Sequence, residues 1–217
     1  MPGATLAYGD MRSLNRVILS LSKDLGPKTH SSPIANMFAT ERPSPAHRER
    51  GWGEGYFLRI YMAGPMFTAA DAAHNLRLAE KLRSFGFEVF CPNESEPNDK
   101  TRQDITPRLI YEVDLAAVKW SNLVLYHVSE DSGTNWEAGF MDCLSRHVDP
   151  ARYYGVIGLA TDMRLRTPPH PEKRGVENQA LHINALVAGG LLLSLGVYLD
   201  EDALIERLVE IRNEREG

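Results

Sequence analysis

The chain has 217 residues, 43% hydrophobic and 24% charged, with a formal net charge of -5. That length supplies one domain with a full core and leaves little for a second. Mild acidity argues against a polynucleotide partner, since such binders carry a basic face, but leaves small uncharged ligands open. The longest apolar stretch, Ala185 to Leu199, is broken by Gly189-Gly190, Ser194 and Gly196. It falls short of the roughly twenty residues that cross a bilayer. Cys91 and Cys143 form no C-x-x-C pair and read as buried, reduced thiols. Together these features predict a soluble, cytoplasmic protein with no membrane association.

In chain order, residues 1–55 differ from the rest. Gly26-Pro27-Lys28-Thr29-His30-Ser31-Ser32-Pro33 mixes turn formers with charge, and Pro43-Ser44-Pro45 and Arg48-Glu49-Arg50-Gly51 continue that character. This segment is expected to be a largely disordered extension with one short helix near 11–25, because it buries too little apolar surface to offset its ordering entropy. Residues 56–217 are expected to form the one ordered domain. Phe57 to Met62 reads as a strand stopped by Ala63-Gly64-Pro65. Asp71 to Phe85 reads as a helix with Ala72, Leu76, Ala79 and Leu82 on one face and Gly86 as its cap. Phe87–Cys91 is the second strand, and Ile105–Lys119 a helix with Pro107 in its first turn. Strands over Asn122–Val128 and Tyr153–Leu159 flank a helix over Gly133–His147. A helix over Val176–Val187, a short strand at Val197–Leu199 and a helix over Glu201–Asn213 complete the pattern.

Such alternation predicts an α/β protein, a Rossmann- or flavodoxin-like three-layer fold with a five-stranded parallel sheet and right-handed crossovers. Ligands in these sheets sit beyond the carboxyl ends of the strands, at the switch in strand order. The loops after Met62, Cys91 and Val128 are therefore where a site is expected. In or beside them stand Tyr61, Asp114, Asp131 and Glu137. Alone, a Glu early in a helix is a cap or a solvated residue, and Asp114 is an ordinary surface carboxylate. Together they suggest convergence at one sheet edge. Glu137 lies near a helix amino end, whose dipole favours the ionised carboxylate. Trp136 beside it suits either stacking on a ligand or packing in the core, and His127 at a strand end is expected to be packed rather than to bind a metal.

The run Arg59-Ile60-Tyr61-Met62-Ala63-Gly64-Pro65-Met66-Phe67, followed by Asp131-Ser132-Gly133-Thr134-Asn135-Trp136-Glu137-Ala138-Gly139, resembles the nucleoside 2-deoxyribosyltransferase family. Tyr111-Glu112-Val113-Asp114-Leu115 falls where that family carries its middle aspartate. His182-Ile183-Asn184-Ala185-Leu186 is similar to its late asparagine motif. The resemblance runs from about Phe57 to the carboxyl terminus. It implies that Glu137 attacks the anomeric carbon of a 2'-deoxynucleoside, giving a covalent deoxyribosyl-Glu intermediate that passes to another base or to water. Tyr61 would orient that carboxylate, and Asp114 would deliver a proton to the departing base. Asp131 and Asn184 would hold the 5'-hydroxyl, with Asn184 supplied by a neighbouring subunit in some relatives. Gly64 and Gly133 complete the implied substrate-binding set. Glu96 falls near the base-recognition position, but its loop departs from the family pattern and leaves the preferred base open.

The implied partners are nucleosides and nucleobases, and the implied assembly is a homo-oligomer. No metal or cofactor is expected: there is no G-x-G-x-x-G, no G-x-x-x-x-G-K-[ST] and no H-E-x-x-H. Two alternatives stand beside this reading. One is a 2'-deoxynucleoside 5'-monophosphate N-hydrolase, whose members tend to carry serine where Asp131 stands. The other is a non-catalytic nucleotide-binding module on the same fold.

Overall fold

The computed structural model describes residues 58–99, 101–162 and 184–216. The expectations for residues 1–55 and for most of the helix over 176–187 lie outside the described residues. Five strands form one sheet: β1 (Arg59–Ala63), β2 (Glu88–Phe90), β3 (Leu123–His127), β4 (Gly155–Leu159) and β5 (Val197–Tyr198). All are parallel, in the order β2-β1-β3-β4-β5. The expected three-layer α/β fold is the one present. The order switches direction between β1 and β3, which opens a crevice at their carboxyl ends.

α1 (Ala69–Ser84) starts at Thr68, whose hydroxyl accepts from the Asp71 amide while the Asp71 carboxylate reaches back to the Thr68 amide. Its buried stripe is Asn75, Leu78, Ala79 and Leu82, whereas Leu76 is exposed. The apolar face expected from Ala72 and Leu76 is thus misplaced. The polar Asn75 occupies a core position, and reading only apolar residues slid the stripe by one place. α2 (Pro107–Trp120) has Pro107 in its first turn, as expected, and Thr106 caps it through the Leu109 amide. α3 (Ser132–Cys143) ends in a π-turn over Leu144–Val148 rather than running on as α-helix. α4 (Ala185–Leu192) continues past Val187, because Gly189-Gly190 does not break it. α5 (Glu201–Glu216) closes the described chain. No helix among the described residues is long and apolar enough to cross a membrane.

Side chains alternate across each strand, so the sheet has two different faces. Leu58, Ile60, Met62, Leu123, Leu125, Ile157 and Leu159 join α1 and α5 in one apolar cluster with Leu78, Leu82, Leu204, Leu208 and Ile211. The residues between them, including Tyr61, Ala63, Val124 and Tyr126, are buried on the opposite face. At the amino end of β4, Gly155 has φ +111°, and a Cβ there would lie 2.3 Å from Ser194 Oγ. That hydroxyl accepts from the Val156 amide at 2.8 Å, so only glycine fits this corner. Both cysteines are free, but only Cys91 is buried. Cys143 is exposed, against expectation, because the last turn of α3 turns it away from the sheet.

Candidate active site

Tyr61 is the third residue of β1 and is fully buried on the face opposite the apolar cluster. Its hydroxyl donates to Glu137 Oε1 at 2.7 Å. Glu137 stands in the second turn of α3, whose start is fixed by Asp131. Asp131 Oδ2 accepts from both the amide and the hydroxyl of Thr134, each at 2.8 Å. Gly133 fits beneath that carboxylate, where a Cβ would come within 3.2 Å of Oδ2. A cavity of about 320 Å³ opens between α2 and α3, and Asp114, Tyr111, Gly133, Trp136, Glu137 and Phe140 are among its walls. Among the described residues, its charged wall residues are Asp114 and Glu137.

Burial pushes the Glu137 carboxyl up to about 8; the Tyr61 hydrogen bond works against this, and the nearby Asp114 and Asp131 add to it. The helix dipole, expected to keep this carboxylate ionised, is outweighed by desolvation. Tyr61 is itself driven well above the ordinary phenol range by burial and by Glu137 and Asp114, so it remains an O–H donor.

Tyr61, Asp114, Gly133 and Glu137 are thus brought together, with Asp131 close enough to act on Glu137 through its charge. Gly64 and Asn184 stand elsewhere. Gly64 passes over the other face, where a Cβ would lie 3.2 Å from His127 Cβ and 3.6 Å from Asn75 Oδ1. Asn184 is the exposed cap of α4, accepting from the Leu186 amide at 2.9 Å. Glu96 pairs with Arg102 at 3.0 Å. His127 is packed against His74, with ring centroids 4.9 Å apart, and bonds Thr161 Oγ1 at 2.9 Å. Trp136 is 69% exposed, which removes it from the core. The cavity's apolar lining, with Tyr111 and Phe140 beside Trp136, was not singled out by sequence; the only signal was the spacing of aromatic residues one helical turn apart. Among the described residues no group of three or more His, Cys, Asp or Glu is arranged to hold a metal.

The sequence model of the family described as Nucleoside 2-deoxyribosyltransferase matches residues 60–186. The chain belongs to this family. Membership places its chemistry in the nucleoside deoxyribosyltransferase or N-glycosidase class. An uncharacterized protein of Ureaplasma parvum serovar 3 is 26% identical over 166 residues, 71% of this chain and 97% of that protein. The crystal structure of a conserved protein from Enterococcus faecalis V583 shares the family member's fold at a TM-score of 0.59. It is 24% identical and covers 72% of this chain and 99% of its own. The 2-deoxyribosyltransferase of the psychrotolerant bacterium Bacillus psychrosaccharolyticus is similar at 20% identity and a TM-score of 0.47, covering 68% of this chain and 90% of its own.

Proposed function

We propose that this chain transfers 2-deoxyribose between nucleobases, or to water, with Glu137 as nucleophile. The observation that carries the reading is the Tyr61–Glu137 hydrogen bond at the wall of a cavity that also holds Asp114. The Glu137 carboxylate attacks C1' from the face opposite the base. The C1'–N bond breaks with its electron pair passing to the base, and Asp114 delivers a proton to the ring nitrogen. An acceptor base, or water, then displaces Glu137 from C1', returning a proton to Asp114. A 2'-deoxy sugar suits this route because no electron-withdrawing hydroxyl sits beside the reacting carbon.

Free nucleosides are the favoured substrates over 5'-monophosphates. The cavity wall carries no Lys or Arg among the described residues, and its charges are all carboxylates. A phosphate about 4 Å from Asp131 would cost on the order of 4 kcal/mol per charge pair at an effective dielectric near 20. Residues 56–217 are the catalytic unit in this reading. Asn184 then joins the site from a second subunit of a homo-oligomer, consistent with the exposure of Leu186, Leu192 and Leu193 on and beside α4 (84%, 76% and 76%). The free thiols fit a reducing, cytoplasmic setting.

The test is direct. Deoxyadenosine incubated with free cytosine should yield deoxycytidine and adenine. Free base without a new nucleoside would reduce the reading to hydrolysis, and no product from any deoxynucleoside would leave a binding module. Faster turnover of deoxynucleoside 5'-monophosphates than of nucleosides would overturn the substrate assignment.

A further inference from the structure

Two tyrosines, not one, reach α3 from the sheet. Ala63 of β1 is registered with Tyr126 of β3, and side chains of 61 and 63 share a face, so Tyr61 and Tyr126 project to the same side. Both are fully buried. Tyr61 meets Glu137, whereas the Tyr126 hydroxyl meets Asn135 Oδ1 at 2.8 Å and the Ser129 carbonyl at 3.0 Å. Asn135 Nδ2 in turn donates to the Asp131 carbonyl at 2.7 Å, and the Asn135 amide bonds the same carbonyl at 3.1 Å. This orientation is the only one that works, since a flipped amide would set Asn135 Oδ1 against that carbonyl. With Oδ1 accepting, the Tyr126 hydroxyl has two acceptors, Asn135 Oδ1 and the Ser129 carbonyl, and both belong to the segment that carries Asp131.

The geometry points to Tyr126 and Asn135 as positioning residues for Asp131. The chain from Tyr126 through Asn135 to the Asp131 carbonyl fixes the β3–α3 loop from below. The Thr134 bonds to Asp131 Oδ2 fix it from above, and Oδ1 has no partner among the described residues. The role rests on the proposed function, in which Asp131 reads the 5'-hydroxyl. Glu137 is held separately by Tyr61, so the two networks control different features of the reaction. An aromatic strand residue of this kind is otherwise an ordinary core side chain; its buried hydroxyl requires a partner, and the partner is the loop that carries the site.

The experiment compares Tyr126→Phe and Asn135→Ala with the full-length wild type on a 2'-deoxynucleoside and its 2',5'-dideoxy analogue. Each variant should lower the kcat/KM ratio between these substrates about fivefold, the worth of one hydrogen bond. The double variant should lower it no further, and the pH midpoint of kcat/KM should stay in place. Hydrogen exchange should quicken in residues 128–135 of each variant and nowhere else. An unchanged ratio, or an equal loss on both substrates, would overturn the inference. A wild type inactive on every nucleoside would instead sink the functional reading. Unchanged exchange in residues 128–135 would then still remove any hold of Tyr126 on the loop.

Discussion

Glu137 and Glu201 are the same residue type on opposite sides of one sheet, and their surroundings drive them in opposite directions. Glu201, at the start of α5, bonds Arg77 and Lys81 of α1, and these bonds pull it down to about 2. Glu137 is buried with a tyrosine and two further carboxylates for neighbours and rises to about 8. The α1/α5 face is a closed apolar cluster whose charges are paired at its rim. On the α2/α3 face, tyrosine hydroxyls stand between the strands and the helix, and a cavity is left open. One face is built for stability. The other holds an ionisable group in a state that costs stability, as sites that do chemistry commonly do.

Removing the group on which this contrast rests should have the largest effect. Glu137→Ala should lower turnover on the order of 10⁴-fold or more while circular dichroism shows the fold retained. Near wild-type turnover would end the proposed mechanism. The same residue should give the opposite result in a denaturation experiment. Its folded value of about 8 lies above the ordinary 4.5, so below pH 4.5 both states are protonated and nothing is lost. Between pH 4.5 and 8 the unfolded chain ionises first, and folding weakens until the effect levels off. Glu137→Gln should therefore be more stable than wild type by about 2 kcal/mol at pH 8, with the difference gone below pH 4.5. This is roughly half the full displacement at about 1.36 kcal/mol per pH unit, because the carboxylate keeps some contact with solvent. Urea titrations at the two pH values measure it.

Activity should carry the same signature with the sign set by chemistry. The nucleophile must be ionised, so kcat/KM should have an ascending limb set by Glu137 that ends near pH 8, and it should fall again where Asp114 loses the proton it delivers. Asp114 raises Glu137 and Tyr61 lowers it, so Asp114→Asn should move the midpoint down and Tyr61→Phe should move it up. Midpoints shifting together would show that the carboxylate does not govern the profile.

Trp136 sharpens the contrast from the ligand's side. An aromatic ring that is 69% exposed at a cavity wall contributes little to folding, so Trp136→Ala should leave stability within about 0.5 kcal/mol. If the ring covers a bound base, KM should rise about tenfold with kcat little changed. Equal KM values for the two proteins would remove Trp136 from the binding surface.

Much of this arrangement was readable from the chain because its signals are local. Tyr61, Asp131 and Glu137 sit within two short motifs at predicted strand ends, and the alternation of elements required a parallel sheet with its crevice there. What escaped the sequence depended on packing between segments. Asn75 in a core position displaced the reading of α1, since its amide is satisfied by Pro65 and Asn93, in segments that the fold brings to it. The ionisation of Glu137 was misread because the helix dipole is visible in sequence and burial is not. Tyr126 looked like any apolar strand residue, for its partner Asn135 is nine residues away across a turn.

The smallest predicted effect belongs to the closed face, and it should run against that of Glu137. Glu201 is depressed to about 2 from the ordinary 4.5, so its contribution is present above pH 4.5 and fades as pH falls towards 2. Arg77 is 55% exposed, and solvent screens much of the attraction. Glu201→Gln should therefore cost only about 1 kcal/mol at pH 7 and less on acidification, with turnover and its pH profile unchanged. If Glu201→Gln stabilised the protein, or shifted the pH midpoint of kcat/KM, the two faces would be coupled rather than separate. The division between a stabilising and a reactive side of the sheet would then have to be abandoned.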